Sequence, residues 1–195
     1  MYYRALRRTP HKWLDIAALV DYVLGARHAV VAVRYFTARI LTTAQDPTAP
    51  QRQQAYLNAL GYDSRVSIHE GQFRPRNKTG PIVEPPQWAG RRATISTFEE
   101  KGSDVNLASW ALADTYEGRA DTVVLLTNDS DLTEPVRILR ARGTPVGVIV
   151  PARLKPNTVP ADFVKVLRPA DLARSHLPDP VRLPSGREVH KPARW

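Results

Sequence analysis

The chain contains no cysteine, which removes disulfide scaffolds, thiolate zinc sites and cysteine nucleophiles together. That fits a reducing compartment. Long hydrophobic runs are missing too, since no apolar stretch approaches the roughly 18 residues that a membrane-spanning helix needs. Met1 to Lys12 is basic but is followed by no apolar run, so it lacks the build of a secretory signal. A soluble cytoplasmic protein is the expectation. No glycine-rich dinucleotide fingerprint and no P-loop occur, because Lys78-Thr79 lacks the glycines that should precede it. His69-Glu70 is not followed by a histidine at zinc-protease spacing, and no serine-hydrolase elbow is present. The five histidines are scattered, with structural or exposed roles expected for each.

What remains is the usage of an ordinary globular domain. A chain of 195 residues with 43% hydrophobic and 24% charged residues can bury a core and does not resemble a disordered segment. Acidic residues are the minority: 19 against 28 basic ones, a formal charge of +9. Of those 28, 22 are arginine, which grips phosphate through two parallel hydrogen bonds. Such an excess favours polyanionic partners through counterion release. An arginine-rich genome would produce the same excess without any functional demand, so charge alone decides little.

The apolar pattern alternates helices with strands. Trp13 to Leu24 carries Trp13, Ile16, Ala17, Val20, Val23 and Leu24 on one helical face. Ala29 to Phe36 is a β-rich run too continuous for a half-exposed strand. Thr42 to Pro50 is a loop, and Gln51 to Leu60 a helix closed by Gly61. Arg65 to Phe73 alternates as a strand. Arg74 to Gly90, with Pro75, Pro81, the Pro85-Pro86 pair, Gly80 and Gly90, predicts a long irregular loop. Ala93 to Phe98 is a strand, Asp104 to Tyr116 a helix, and Thr122 to Leu126 the cleanest buried strand. Leu132 to Arg142 is an amphipathic helix ended by Gly143, Pro145 to Val150 a buried strand, and Phe163 to Leu167 a short last one. This order predicts an α/β fold built from crossover units, a mostly parallel sheet covered on both faces. Residues 1–172 form the expected domain, and 173–195 a proline-rich basic tail.

In open α/β sheets the chemistry lies beyond the carboxyl ends of the strands, and carboxylates sit there. Thr122 to Leu126 runs into Thr127-Asn128-Asp129-Ser130-Asp131. The strand before it runs into Glu99-Glu100-Lys101-Gly102-Ser103-Asp104. Parallel strands place both segments on one rim. Clustered carboxylates repel unless a cation compensates them, and hard oxygen donors suit magnesium or manganese. Such ions polarise a phosphoryl oxygen and activate water. Plainer roles exist for each residue. Asp131 could cap a helix starting at Leu132, with Glu134 completing a capping box, and Asp104 could serve a helix amino end. Asp129 caps nothing obvious in the sequence. Lys101 reads either as a solvated ion pair with a neighbouring glutamate or as a cation for phosphate.

Here the residues resemble a family. Glu99-Glu100-Lys101-Gly102-Ser103-Asp104-Val105 is similar to the "E-E-K-G-x-D-V" motif of NYN-domain ribonucleases, within the PIN-like superfamily. Asp121-Thr122-Val123-Val124-Leu125-Leu126-Thr127-Asn128-Asp129-Ser130-Asp131-Leu132 is similar to their later "D-x-A-V-L-x-S-x-D-S-D-F" motif. The likeness extends to Met1-Tyr2-Tyr3-Arg4-Ala5-Leu6 and Lys12-Trp13-Leu14-Asp15. It implies a three-layer α/β/α sandwich and a divalent-metal site that hydrolyses RNA. The matching positions are Asp104, Asp129 and Asp131, with Asn128 and Ser130 orienting carboxylates or water and Lys101 a neighbour. Family members open with a strand ending in "D-G-x-N", whose aspartate is a main metal ligand and has no counterpart here. The chain therefore reads as lacking that first strand, whose loss would expose sheet edges. The expectation is that translation starts upstream, with Met1 an internal methionine of that motif.

Arg74, Arg76, Lys78, Arg91 and Arg92 are candidates for an RNA-gripping rim, with Phe73 and Trp88 for base stacking, or form a solvated loop. The tail carries Arg182, Arg187, Lys191 and Arg194 around prolines and ends in Trp195. It suits a strap, a phosphate-binding arm or a partner motif. Three functions fit: a metal-dependent endoribonuclease, a weakly catalytic or inactive RNA-binding module, and a toxin with a protein antitoxin. A homodimer or another protein partner is compatible with all three.

Overall fold

A computed structural model describes Leu6 and residues 9–84, 90–151 and 159–194. The Met1 to Ala5 resemblance, the Pro85-Pro86 pair, Trp88 and Trp195 lie outside these residues. Helix α1 spans Ile16–Leu24, because Asp15 ends the preceding extended segment and caps the helix, accepting from the Ala18 amide at 2.9 Å. The predicted start at Trp13 was early for that reason, although Trp13 and Leu14 are both buried. Strand β1 is Val33–Ala38. The apolar run from Ala29 lies ahead of its ladder, and Val31 is exposed. Helix α2 runs Ala49–Leu60, two residues longer at its start than predicted, with Pro50 in the first turn, where its missing N–H costs nothing.

The largest correction concerns residues 74–90. Strand β2 spans Val66–Pro81 and β3 spans Arg92–Lys101. Val66 to Gly71 pair with β1 in parallel; from Gln72 onward the same strand pairs with β3, antiparallel, as far as Pro81 opposite Arg92. The expected loop is a two-stranded ribbon. Beyond Gly71 one edge of β2 is open, and Pro75 and Pro81 share the same parity. Both can therefore turn their missing N–H toward that unpaired edge, where proline is tolerated.

Helix α3, Ser103–Tyr116, leads to β4, Val123–Leu126, and helix α4, Thr133–Ala141, to β5, Val146–Val150. Strand β6, Phe163–Val166, pairs with β5, and helix α5 follows at Pro169–Ala173. The alternation of strands and helices is as the sequence indicates, and the fold is mixed α/β. The sheet, however, is divided. One sheet has the order β1-β2-β3 and another the order β4-β5-β6, all parallel. Strand β5 is buried at all five positions. Strand β4 alternates buried with half-buried, short of the fully buried strand expected, because it has a partner on one side only.

Two apolar clusters hold these pieces. One joins α1 and α2 to Ile149, Leu167 and Leu172, with Tyr35, Ile68, Val124 and Leu126 packed against it, and so bridges the two sheets. The other packs Val136 and Leu139 of α4 against Val123, Leu125, Val146 and Val148, with Leu107, Ala108, Ala111 and Leu112 of α3 along its side. The last segment straps the first cluster. Leu177 donates its amide to Trp13 at 3.1 Å and Asp15 donates to Ser175 at 2.8 Å. Val181 and Val189, from the short hairpin β7 (Val181–Arg182) and β8 (Glu188–Val189), are buried in the same cluster. No helix among the described residues is long and apolar enough to cross a membrane.

Candidate active site

The acidic notch is assembled where β3 and β4 end. Glu99 and Glu100 are successive on β3, so they face opposite sides of the ribbon. Glu100 turns to α3 and accepts the Ser103 amide at 3.1 Å. Gly102 supplies the left-handed link, φ 101°, that lets the chain pass from strand to helix. Gly71 is equally constrained: a Cβ there would lie 2.8 Å from the Lys101 carbonyl and closer still to Glu100. Asp104 stands in the first turn of α3, where free backbone N–H groups favour a negative charge.

Helix α3 is anchored to the first sheet by a mostly buried ion pair. The Arg34 guanidinium on β1 holds Asp114 at 2.5 Å and lies 3.9 Å over the Trp110 ring. Arg34 keeps the Asp114 carboxyl below the ordinary carboxylate range. His69 of β2 fits between Phe36 and Trp110, and burial lowers its pKa. This cluster sets the position of α3, and with it Asp104.

After β4, Thr127 Oγ1 accepts the Asp129 amide at 3.2 Å and Asp129 Oδ1 accepts the Asp131 amide at 3.0 Å. Asp129 thereby caps a single 3-10 turn, Ser130–Leu132, a role its sequence position did not suggest. Asp131 does not form the expected capping box. Helix α4 begins at Thr133 without a side-chain cap, and Glu134 pairs instead with Arg137 at 2.7 Å. Asn128 and Ser130 flank Asp129 in this turn. The 3-10 turn packs against α3, which brings the two acidic segments together. Asp104 reports the approach: its pKa is raised by burial first, then by the charges of Asp129, Glu100 and Asp131. Glu100 is the carboxylate that sequence reasoning passed over. The signal was the parity of the Glu99-Glu100 pair, which sends one of the two toward α3.

Cations decide how unusual this notch is. Asp21, Asp46, Asp63, Asp114, Asp162, Glu70, Glu99, Glu117, Glu134 and Glu188 each have an arginine or lysine partner. Among the described residues Asp104, Asp129, Asp131 and Glu100 have none; Asp15, Asp121, Asp171, Asp179 and Glu84 also lack one, but are scattered rather than gathered. Lys101 points away from them and pairs with Glu99 at 3.1 Å, the ion-pair role. Hard oxygen donors without a cation are the chemistry that a divalent ion compensates. Their spacing is looser than a coordination sphere, since no three His, Asp or Glu among the described residues are gathered closely enough to hold a metal.

Arg74, Arg76 and Lys78 alternate along β2 and share one face of the ribbon, whereas Arg92, opposite Pro81, is on the other. Arg91 lies in the connection beyond, its carbonyl accepting the Ile82 amide. Phe73 shares its face with Glu100 and is half-buried.

The model of the NYN domain matches residues 2–167, which include both acidic segments. This chain belongs to the NYN domain family. As an NYN protein it is also similar to the 6-hydroxy-3-succinoylpyridine 3-monooxygenase HspA of Pseudomonas putida, 30% identical over 225 residues, covering 100% of this chain and 72% of that protein. No solved structure matches this NYN chain.

Proposed function

We propose that this NYN protein is a divalent-metal-dependent endoribonuclease, with a PIN-like α/β/α fold and its catalytic centre at Asp104, Asp129 and Asp131. One observation carries the reading. In a chain of charge +9, four converging carboxylates stand without a basic partner among the described residues, while most other acids are paired. Leaving like charges together costs stability, and such a cost persists at sites where the charge has work to do.

Asp104, Asp129 and Asp131 would hold magnesium or manganese, which when bound supplies charge stabilisation at the phosphoryl oxygens and a more acidic water. The chain's own contribution is placement. The Arg34–Asp114 pair fixes α3, the Thr127–Asp129–Asp131 hydrogen bonds fix the turn, and Glu100 holds the Ser103 amide beside Asp104. Glu100 adds a fourth carboxylate to the notch. In hydrolysis water adds to phosphorus and gives a proton to a carboxylate or to solvent, while the P–O bond to the leaving ribose oxygen breaks and that oxygen takes up a proton from solvent to leave as a hydroxyl.

Incubating single-stranded RNA with magnesium or manganese tests this. Cleavage is expected from the wild type and a loss of at least about a hundredfold in Asp129→Asn, since even groups that only support metal ligands contribute 10–100-fold. Undiminished cleavage by Asp129→Asn would remove the site assignment. Tight RNA binding without cleavage would leave an RNA-binding or regulatory module, the role a toxin–antitoxin partner would also suit. A second reading rests on the relative named as a monooxygenase. It requires 6-hydroxy-3-succinoylpyridine to gain one oxygen atom in the presence of dioxygen and a two-electron donor, which mass spectrometry of the product would detect.

A further inference from the structure

We propose that the β2–β3 ribbon is an arm that carries single-stranded RNA along its basic face into the acidic notch. The ribbon is a ladder of ten pairs, Gln72–Lys101 to Pro81–Arg92, about 33 Å long at the usual rise per residue. Its residues are mostly exposed. A two-stranded ribbon without a buried apolar face adds little stability of its own, so its length is not explained by packing.

Its two faces differ chemically. Arg74, Arg76 and Lys78 from β2 and Lys101 from β3 lie on one face, with Thr97 and the exposed Ile95 between them. Glu99 is the acid on that face. It takes Arg76 at 3.0 Å, Lys78 at 2.5 Å and Lys101 at 3.1 Å, and is itself 18% exposed. The three cations remain 55–58% exposed, and Arg74 has no ion pair among the described residues. The cations occupy alternate positions along the ladder, and Glu99 draws the heads of Arg76, Lys78 and Lys101 together into one mostly exposed cluster of net positive charge. Ile95 offers an apolar surface to a base beside them.

The row has a direction. It ends at Lys101, and Gly102 then turns the chain into Asp104. A strand held by Arg74, Arg76 and Lys78 thereby reaches the end of the ribbon at which the chain turns into α3, and must pass round that end from the basic face to the side on which Glu100 meets α3. The deep, narrow major groove of duplex RNA excludes side chains, which favours the single strand. The delivery role rests on the notch being where RNA is cut; the binding role does not.

The test is binding of a fluorescent single-stranded RNA oligomer in EDTA, across a salt series. The full chain would be compared with the triple variant Arg74→Gln, Arg76→Gln, Lys78→Gln. A matched variant, Arg137→Gln, Arg140→Gln, Arg142→Gln, lowers the net charge equally. It alters α4 and the residues after it, where Arg140 pairs with Asp162 at the amino end of β5, the opposite rim. The ribbon variant should bind at least about tenfold more weakly. Its plot of log affinity against log salt should be shallower by about 2, three phosphate contacts at about 0.7 each. The α4 variant should bind as the wild type does. A ribbon variant within twofold of wild type, or an α4 variant that loses as much, overturns the arm. So does an equal or greater ribbon dependence when the oligomer is annealed to its complement. A ribbon effect with no cleavage by any protein leaves the arm standing and removes the nuclease. Asp129-dependent cleavage with an indifferent ribbon does the reverse.

Discussion

Strands β5 and β3 are both paired along their whole length, yet they are held by different forces. Every position of β5 is buried, and its partners lie on both sides. Strand β3 lies at a sheet edge, has a partner on one side only, and exposes Ile95 and Phe98. In the first case the hydrophobic effect selects the strand and hydrogen bonds follow. In the second the hydrogen-bond ladder is the structure, and the side chains are left free for other duties. Burial marks what the fold needs; its absence along an ordered ladder marks what the fold can lend to function.

Substitutions can break that contrast. Ile149→Ala removes a side chain with 0% exposure and should cost about 2–5 kcal/mol, measured by denaturant unfolding. Ile95→Ala should change stability by less than about 0.5 kcal/mol. Equal losses at the two positions would mean that the ribbon is packed after all. Gly71→Ala probes the junction between the two regimes. Its new methyl would meet the Lys101 carbonyl and Glu100, and a loss of about 1–3 kcal/mol is expected, with RNA cleavage reduced as well. An unchanged melting temperature would show that the junction yields.

The smallest effect has the opposite sign. Asp104 has a raised pKa, so its charged form is disfavoured in the folded state. The cost is absent below the ordinary value of 3.8 and develops as pH rises through the raised one. Asp104→Asn should therefore melt about 1 °C higher at neutral pH, a gain kept small by solvent screening and vanishing toward pH 3. Magnesium should raise the melting temperature of the wild type more than that of the variant. A variant less stable than wild type at neutral pH would contradict the uncompensated notch.

The β4–α4–β5 region was legible because its strands are short apolar runs and Gly143 ends the helix pattern. That the segments of Asp104, Asp129 and Asp131 each follow a strand was legible from the apolar runs before them; the parallel arrangement expected to join them was not found, because β3 is antiparallel to β2 and lies in a different sheet from β4. The ribbon was not, since Pro75, Pro81 and Gly80 are loop formers wherever a strand must be paired on both edges, and sequence does not show which edge is open. The sheet's division was equally hidden, because Val124 and Leu126 look like central-strand residues although they are half-buried at an edge. Glu100 was obscured by its neighbour: only pairing tells which of two successive glutamates faces the helix.

A single unbroken strand, β2, belongs to the parallel sheet up to Gly71 and to the ribbon after it. The two parts therefore share one phase. An extra residue inserted after Gln72 would swap the ribbon's sides, presenting Phe73 and Pro75 where Arg74 and Arg76 had been, and leave the parallel ladder in step. The same insertion before Gly71 would throw both out of step. The frame of the cationic row is thus set inside the sheet, several residues from any phosphate it could touch.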